Sequence, residues 1–384
     1  MLITNGRIFT MAGRMIENGY VRINGTKIAD VGAMGEFVRN EEGGDIIDVG
    51  GAWVMPGLIE AHAHIGITEE KTGVIGDDCN ESTNPVTPGL RAVDAVNPMD
   101  PAFHDAIAAG ITSVMTGPGS ANVVGGQFLF MKTHGRCVDD MIVKSPAAMK
   151  AALGENPKTS YGDQNEFPAT RMGIACLLRK ELFQAKQYEA SKSGAQGCAA
   201  DFDMEAWLPV LRREIPLKIH VHRADDILTA IRIAGEFDIK ITLDHCTEGH
   251  LIADLIAESG FPAIVGTGLT SRNKVEVEYM SFKTAGELAD AGVKVAVTTD
   301  HPVALIQYLP LCAGLAVKYG LPMEEGLRAI TIHPAQICGT DDRVGSLEPG
   351  KDADIAIFDG NPMEIFTETL YTIINGEIVY RKED

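Results

Sequence analysis

Two histidines separated by one residue, His62 and His64, end a largely apolar segment that starts near residue 53. Side chains two residues apart on a β-strand point to the same side of the sheet, so both imidazoles can reach one point. Neutral imidazole is a ligand of Zn²⁺ and other divalent transition metals. The pair therefore predicts a metal site at the end of a strand.

Three later segments also carry imidazole or carboxylate groups where a predicted strand ends. His220 and His222 repeat the one-residue spacing, His245 follows residues 240–243, and Asp300 follows residues 293–298. Groups of this kind at four strand ends indicate one shared site, because the carboxyl ends of barrel strands meet at one face.

The segments between these residues alternate between strands and amphipathic helices. Residues 217–221 form an apolar strand, and the helix predicted over residues 225–237 places Ile227, Leu228 and Ile231 on one face. Such alternation indicates parallel strands joined by crossover helices, and a (β/α)₈ TIM barrel closes them economically. We therefore expect an α/β protein with a barrel over residues 55–339.

The two ends of the chain show a different pattern, namely short strands separated by turns such as Asn24-Gly25 and Asn375-Gly376. Residues 1–54 and 340–384 are therefore predicted to form one small β-sandwich domain together. Within the barrel, residues 68–100 and 156–171 are rich in Pro, Gly, Asn and Asp, and we expect them to be loops over the site.

The composition is ordinary for a globular protein that can bury a sizeable core, and its charge is compatible with small neutral or cationic substrates. The formal net charge of −20 disfavours nucleic acid or an anionic membrane as a partner. Seven cysteines without a CxxC pair, and no signal-peptide pattern at the amino terminus, predict a cytoplasmic protein. A barrel with exposed helices could also form a homo-oligomer.

His62-Ala63-His64, His222, His245, Asp300 and the tail Val344-Gly345-Ser346-Leu347-Glu348-Pro349-Gly350 together resemble the amidohydrolase superfamily, in particular its imidazolonepropionase-related branch. The resemblance spans essentially the whole chain. It implies that His62 and His64 bind one metal ion, that His222 and His245 bind a second ion or the substrate, and that Asp300 binds metal and handles the proton. His222 is preferred to His220 as the ligand because it matches a His-x-x-acid pattern with Asp225, which leaves His220 to the substrate.

The resemblance also calls for an anion between two metal ions, which relatives supply as a carboxylated lysine or a glutamate near the fourth strand. The sequence offers Glu155, Lys150 and, as a weaker candidate, Lys132. Glu155 is included in the predicted metal set, Lys150 is the alternative, and a site with a single ion stays open.

The expected chemistry follows from the metal. Zn²⁺ lowers the pKa of a bound water to about 7, so that hydroxide is available to attack a carbonyl carbon. Asp300 would accept the proton and pass it to the leaving nitrogen. The predicted reaction is hydrolysis of a C–N bond in a small amide, cyclic amide or dipeptide-like substrate, with Mn²⁺, Fe²⁺ or Co²⁺ as alternative ions.

Two other functions stay open, together with the identity of the substrate-binding groups. A deaminase of a small heterocycle would use the same metal chemistry with Asp225 as the fifth-strand acid, and a non-catalytic homologue would lack ligands. Arg171 and Arg223 could each bind a substrate carboxylate through two hydrogen bonds. His301, beside Asp300, is the remaining predicted substrate-binding residue.

Overall fold

The computed structural model describes residues 1–37, 45–70, 73–192 and 199–383. The strands in this part of the chain are β1 (Leu2–Phe9), β2 (Met15–Asn24), β3 (Lys27–Ala33), β4 (Ile46–Asp48), β5 (Trp53–Pro56), β6 (Leu58–Ala63), β7 (Ile111–Thr116), β8 (Val124–Lys132), β9 (Ile142–Ala152), β10 (Leu217–Val221), β11 (Ile241–His245), β12 (Ala263–Val265), β13 (Val295–Val297), β14 (Ile355–Phe358), β15 (Thr369–Ile374) and β16 (Glu377–Arg381). The helices are α1 (Pro101–Ala108), α2 (Val138–Met141), α3 (Glu155–Gly162), α4 (Arg171–Lys192), α5 (Phe202–Leu211), α6 (Ala224–Phe237), α7 (Ala253–Ser259), α8 (Thr284–Asp290), α9 (Leu309–Lys318), α10 (Met323–Arg328) and α11 (Ile332–Cys338). None of the helices described is long and apolar enough to cross a membrane.

Strands β6 to β13 form one sheet in sequential order, and β13 packs beside β6, so that the sheet is a nearly closed barrel. The predicted TIM barrel is thereby confirmed. One strand departs from the regular repeat, because β8 runs antiparallel to both of its neighbours. The link from β7 to β8 is a short loop over residues 117–123 rather than a crossover helix, and a short link joins antiparallel strands.

The unit formed by β10 and α6 shows why the sequence pattern was informative. All five residues of β10 are buried, as expected for a barrel strand that is covered on both faces. On α6 the buried apolar residues are Ile227, Ala230, Ile233 and Ala234, which recur at helical spacing and face the sheet. The helix ends at Phe237, the left-handed backbone of Asp238 caps it, and two residues separate this cap from the start of β11.

The two chain ends form a separate sheet, as predicted, in the order β16-β15-β14-β5-β1-β2-β3, with β4 paired to β1. It has its own hydrophobic cluster, which includes Ile3, Ile8 and Ile355. Only Gly57 separates β5 of this sheet from β6 of the barrel. A Cβ at Gly57 would lie 2.1 Å from Thr112 Oγ1, so the absence of a side chain allows this close link.

A buried charged cluster joins the barrel to this sheet. Lys132, at the end of β8, pairs with Asp354 and lies 3.0 Å from Asp352. Asp352 also accepts hydrogen bonds from Lys27 at 2.6 Å and from Arg343 at 2.8 Å. Because β8 runs in the opposite direction, Lys132 pairs with the start of β7 and lies at the amino-terminal face of the barrel. Lys132 therefore cannot reach the predicted metal site.

The second predicted loop region is partly helical. Residues 156–171 were expected to be a loop, but α3 covers Glu155–Gly162. Within this helix, Thr159 Oγ1 donates to the Glu155 carbonyl, one turn earlier, at 2.9 Å. The Pro and Gly content of this stretch concealed the helix. Residues 73–100 contain only short helical turns in the structure, in agreement with the loop prediction for that region.

Candidate metal centre

His62, His64 and Asp300 come together at the carboxyl-terminal face of the barrel. Their candidate ligand atoms all lie within 4.8 Å of one another. Asp300 Oδ1 is 3.5 Å from His62 Nε2 and 3.4 Å from His64 Nε2, which is long for a hydrogen bond. Asp300 has a left-handed backbone, with φ +53, directly after the eighth barrel strand. Such a conformation costs energy in a non-glycine residue and is common at functional sites.

A second cluster contains His220, His222 and His245, whose candidate ligand atoms also lie within 4.8 Å of one another. The ring centroids of His220 and His245 are 4.4 Å apart, and those of His222 and His245 are 4.8 Å apart. His245 also lies 5.0 Å from His62, centroid to centroid, which places the two clusters side by side. His220 therefore belongs to the cluster together with His222, although its Nε2 also lies 3.4 Å from Asn156 Nδ2.

Lys150 lies at this junction, at the carboxyl-terminal half of β9, the fourth barrel strand. Its side chain is fully buried, and Nζ is 3.4 Å from His62 Nε2. Burial lowers the pKa of Lys150 to about 8, although the carboxylates of Asp244 and Asp300 act in the opposite direction. At pH 7 a minor fraction of the amine, roughly a tenth, is consequently uncharged, which is far more than in a free lysine.

Four of the imidazoles are oriented through Nδ1, the ring nitrogen that faces away from the clusters. The contacts are His62 Nδ1–Asp244 Oδ2 at 2.8 Å, His64 Nδ1–Gly117 O at 2.7 Å, His222 Nδ1–Thr247 Oγ1 at 2.7 Å and His245 Nδ1–Gly266 O at 2.9 Å. Metal-binding histidines typically have such a partner, which fixes the ring and the tautomer. The arrangement directs Nε2 of each ring toward the centre.

Several polar atoms at the centre have no hydrogen-bond partner among the described residues, namely His222 Nε2, His245 Nε2 and Asp300 Oδ1. Buried polar atoms normally have a hydrogen-bond partner. The lack of partners at these three atoms therefore points to a group that the site is built to bind. Burial lowers the pKa of His245 well below 6.5 and that of His222 to about 4, so both rings are neutral and can donate a lone pair.

His64 is the exception in its ionisation. Burial opposes protonation, but the thiolate form of Cys79 and the Asp300 carboxylate outweigh burial and raise the pKa of His64 to about 10. The pKa of Asp300 is lowered, because the surrounding imidazoles and Lys150 outweigh the effect of its burial. Without a metal, the first cluster is therefore an anionic carboxylate beside an imidazole that holds a proton, and a bound metal ion would displace that proton.

A cavity of about 320 Å³ opens above both clusters. Its lining includes His64, His220, His222, His245 and Asp300, together with polar loop residues. Among the described residues, Lys274 is the one Lys or Arg side chain in that lining, and the loop that carries it follows β12. The volume fits a small molecule rather than a polymer.

Glu155, the favoured bridging residue, is not brought to the histidines. As the first residue of α3, it accepts a hydrogen bond through Oε2 from the Glu276 backbone N–H at 3.2 Å. Glu155 is also absent from the cavity lining. The backbone turns at Gly154, where φ is +88, and this turn carries Glu155 past the end of β9 and away from the centre. We therefore correct this assignment and regard Lys150 as the bridging candidate.

The two predicted arginines do not reach the cavity either. Arg171 Nε donates to both carboxylate oxygens of Asp226, at 2.9 and 3.1 Å, beside a different cavity. Arg223 pairs with Asp225 at 2.9 and 3.0 Å at the surface. Both guanidinium groups are already bound to carboxylates of α6, so their expected role in substrate binding is corrected.

His301 is buried beneath the cavity and does not line it. Its Nδ1 accepts a hydrogen bond from the Ile306 backbone at 3.2 Å, and its carbonyl accepts one from the His64 backbone at 2.8 Å. These contacts support the backbone beside His64 and Asp300. Direct contact of His301 with substrate was therefore a wrong expectation.

Sequence reasoning missed the buried residues that support the clusters. Asp244 binds the His62 ring and lies 3.1 Å from Lys218 Nζ, while Glu60 accepts hydrogen bonds from the backbones of His62 and Thr299. On β10 the polar residues Lys218 and His220 lie two positions apart, with apolar residues between and beside them. Thr242 and Asp244 have the same spacing on β11. That period of two along otherwise apolar strands was the signal that these side chains face the barrel interior.

The sequence matches the family model described as "Amidohydrolase family" over residues 53–379. An amidohydrolase of Hapsidospora irregularis, tasK, is 28% identical over 361 residues, which make up 86% of this chain and 37% of that protein. The chain therefore spans little more than a third of the length of that relative. An imidazolonepropionase of Fusobacterium nucleatum is 22% identical over 410 residues, covering 95% of this chain and 92% of the relative.

Two solved structures extend the comparison. An amidohydrolase from Thermotoga maritima MSB8 superposes with a TM-score of 0.95 at 41% identity, covering 99% of this chain and 100% of the other. A prolidase complexed with N-methylphosphonate-L-proline gives a TM-score of 0.62 at 18% identity, with 99% of both chains covered, and shares the fold alone.

Proposed function

The chain belongs to the amidohydrolase family, and from this premise we propose that it is a metal-dependent hydrolase of a C–N bond in a small amide, cyclic amide or dipeptide-like substrate. The observation that carries the proposal is the pair of clusters, His62, His64, Asp300 and His220, His222, His245, on either side of Lys150. The family is one of hydrolases, and the bond and the substrate class are our inference.

The donor set fits divalent transition metals. Neutral imidazole and carboxylate groups suit Zn²⁺, and Mn²⁺, Fe²⁺ or Co²⁺ accept the same donors. The unpartnered Nε2 atoms of His222 and His245 and the unpartnered Oδ1 of Asp300 are atoms that such ions would satisfy. A bound ion would lower the pKa of water and polarise the scissile carbonyl.

Each cluster is proposed to hold one ion, with Lys150 as the residue that joins them. For this role Nζ adds to carbon dioxide, forming an N–C bond and releasing a proton, and the resulting carbamate supplies two oxygens. The reaction needs the uncharged amine, which burial favours. In the unmodified side chain, Nζ lies 3.4 Å from His62 Nε2, so the new oxygens would form between the clusters.

The other residues position groups and move the proton. Asp300 accepts a proton from the attacking water and returns it to the leaving nitrogen, a task that its lowered pKa suits because the carboxylate is ionised at neutral pH. Asp244 holds the His62 ring, and Thr247 holds the His222 ring, so that neither imidazole can rotate away.

The position of Asp225 favours amide hydrolysis over deamination as the proposed reaction. The deaminase alternative needs this acid beside the fifth-strand histidines, but Asp225 is bound to Arg223 and its side chain is 53% exposed. A non-catalytic homologue would lack ligands, whereas His62, His64, His245 and Asp300 are all present. The described cysteines are all unpaired, which supports our proposal of a cytoplasmic location.

The test combines metal analysis with a substrate screen. Purified protein is expected to contain divalent metal and to hydrolyse members of a panel of N-acyl amino acids, dipeptides and lactams. Lys150→Ala should lower metal content and activity. In native mass spectrometry, wild type should be heavier than its sequence mass by one carbon dioxide, and Lys150→Ala should lack this addition. Glu155→Gln, the matched control on the connection after β9, keeps the acceptor for the Glu276 backbone N–H and should keep both metal and activity.

Two results would count against the proposal. A metal-loaded protein that hydrolyses no member of the panel would contradict the function. Unchanged metal content in Lys150→Ala would contradict the bridging role while leaving the hydrolase proposal in place.

A further inference from the structure

Glu276 is a buried carboxylate beside the second histidine cluster that no role described so far uses. It lies on the loop after β12, and its side chain is 1% exposed. Its Oε1 is 3.8 Å from His220 Nε2 and 3.7 Å from His222 Nε2. These distances are too long for hydrogen bonds, so the carboxylate faces two imidazoles without bonding to either.

The spacing matches that of ligands around one small cation. Imidazole nitrogen and carboxylate oxygen lie about 2.1 Å from Zn²⁺, and two ligands of a tetrahedral ion are then roughly 3.4 Å apart. His222 Nε2 has no other partner within the described part of the chain. An ion between the three groups would therefore satisfy both the imidazole and the carboxylate.

The second carboxylate oxygen fixes the orientation of Glu276. Oε2 accepts a hydrogen bond from the Glu155 backbone at 2.8 Å, and the Glu276 backbone donates in return to Glu155 Oε2 at 3.2 Å. A Cβ at Gly154 would come within 2.7 Å of Glu276 Oε2, so glycine leaves room for the carboxylate. These contacts hold Oε1 toward the histidines before any ion binds.

Lys274 is the competing partner. Its Nζ is 3.5 Å from Glu276 Oε1 and donates to Asn156 Oδ1 at 2.7 Å. If Glu276 serves only to pair with Lys274, neither residue matters to the metal. If Glu276 binds the ion, Lys274 is a like charge close to it, and removing the ammonium should strengthen metal binding or leave it unchanged.

We propose that Glu276 Oε1 is a ligand of the second divalent ion, on the side of the cluster formed by His220 and His222. The proposal rests on the two-ion centre described above. It adds a carboxylate from the loop after the seventh barrel strand, the same loop that supplies Thr267, Lys274 and Met280 to the cavity. Binding of the second ion would thereby hold this side of the cavity in place.

The experiment is a titration of metal-free protein with Co²⁺, followed through the visible absorption of the bound ion, which reports its ligands directly. Wild type is expected to bind two equivalents. Glu276→Gln keeps the size and the acceptor for the Glu155 N–H, and should weaken the second equivalent by about tenfold or more and change its absorption band. Glu155→Gln is the matched control on the other side of the reciprocal pair and should stay within about twofold of wild type.

Each outcome decides the proposal. Unchanged affinity and spectrum in Glu276→Gln would overturn it, as would equal losses in Glu276→Gln and Glu155→Gln, because loop packing would then explain the effect. Weaker second-ion binding in Lys274→Met would also overturn it.

The stoichiometry of wild type separates this proposal from the function itself. One equivalent in wild type rejects the second-ion ligand but keeps a single-ion hydrolase, whereas no bound ion rejects both. Should Glu276→Gln unfold in a thermal melt, Glu276→Asp replaces it. That variant keeps the charge on a shorter arm and should bind the second ion more weakly than wild type, so wild-type affinity would overturn the proposal.

Discussion

Two buried polar networks occupy opposite faces of the same barrel, and they differ in completeness. At the amino-terminal face, Lys132 contacts Asp352 and Asp354, and Asp352 is further bonded to Lys27 and Arg343. At the carboxyl-terminal face, Asp300 Oδ1 and two imidazole nitrogens have no hydrogen-bond partner within the described ranges. A complete buried network stabilises a fold, whereas an incomplete one marks the place where a ligand completes it.

The two lysines make the contrast quantitative. Lys132 is 2% exposed and Lys150 is 0% exposed, so burial penalises both ammonium groups similarly. For Lys132, the carboxylates of Asp352 and Asp354 lie next to the ammonium group and offset the cost of burying it. Lys150 has an imidazole as its nearest polar contact, and its pKa falls to about 8. One lysine is thus a structural cation and the other a reactive amine.

The largest effect is expected from Asp300→Asn, which removes the proton acceptor from the incomplete network. On a substrate found by the screen, kcat/KM should fall by about 10²- to 10⁴-fold, because that is the usual contribution of general acid–base catalysis. The free energy of unfolding of the metal-free protein should fall by less than it does in Lys132→Met, since Oδ1 has no hydrogen-bond partner to lose. Steady-state kinetics and urea unfolding provide the two measurements.

Asp78→Asn is the control for this prediction, because Asp78 is exposed and lies outside the cavity lining. It should match wild type in both measurements. Activity of Asp300→Asn within tenfold of wild type would remove Asp300 from the proton path.

The next effect concerns the complete network. Lys132→Met leaves two buried carboxylates without their shared cation, and the free energy of unfolding should fall by about 3–5 kcal/mol. Lys150→Met, the same substitution in the incomplete network, should cost metal-free protein less than about 1 kcal/mol. Urea unfolding in the presence of a chelator compares the two. Equal losses would show that the networks do not differ in the way proposed.

The sequence predicted the first cluster well because its information is local. His62 lies on β6, His64 directly follows the last residue of β6, and Asp300 follows an apolar strand, so period-two alternation and strand ends were enough. The barrel and the small sheet were predictable for the same reason, from alternating strands and helices and from turn residues at both chain ends.

Other parts of the centre depend on geometry that no local pattern carries. Glu155 was preferred to Lys150 because it lies nearer the strand end, but the turn at Gly154 directs it away, while the longer lysine reaches the histidines from within β9. The reversed direction of β8 depends on a loop of seven residues rather than on the composition of the strand. Glu276 reaches the centre only through tertiary contacts of its loop with α3.

Metal removal should lower the stability of the protein through the metal centre and not through the network at the amino-terminal face. The expected effect is smaller than that of Lys132→Met. Zn²⁺ at 100 times its dissociation constant stabilises the folded state by about 2.7 kcal/mol relative to chelated protein. Lys132→Met should keep this increment, because distant sites act additively, whereas His245→Ala should lose most of it. Differential scanning calorimetry with and without chelator gives the increments. A reduced increment in Lys132→Met would indicate that the two faces of the barrel are coupled.

The smallest effect is the acid sensitivity of the complete network. Burial alone would raise the pKa of Asp352, but Lys132, Lys27 and Arg343 outweigh burial and lower it below 3.8. A carboxylate whose folded-state pKa is depressed stabilises the protein above its unfolded-state pKa, and this contribution is lost as the pH falls through the folded-state value. The unfolding free energy of metal-free wild type should therefore decline below about pH 4, where unfolded aspartate begins to bind protons. In Asp352→Asn the decline should be shallower, because this position no longer titrates, and the difference should stay below the loss in Lys132→Met since Asp354 remains. Urea unfolding between neutral pH and the acid transition measures both curves, and parallel curves would mean that Asp352 is no better stabilised as an anion in the folded protein than in the unfolded chain.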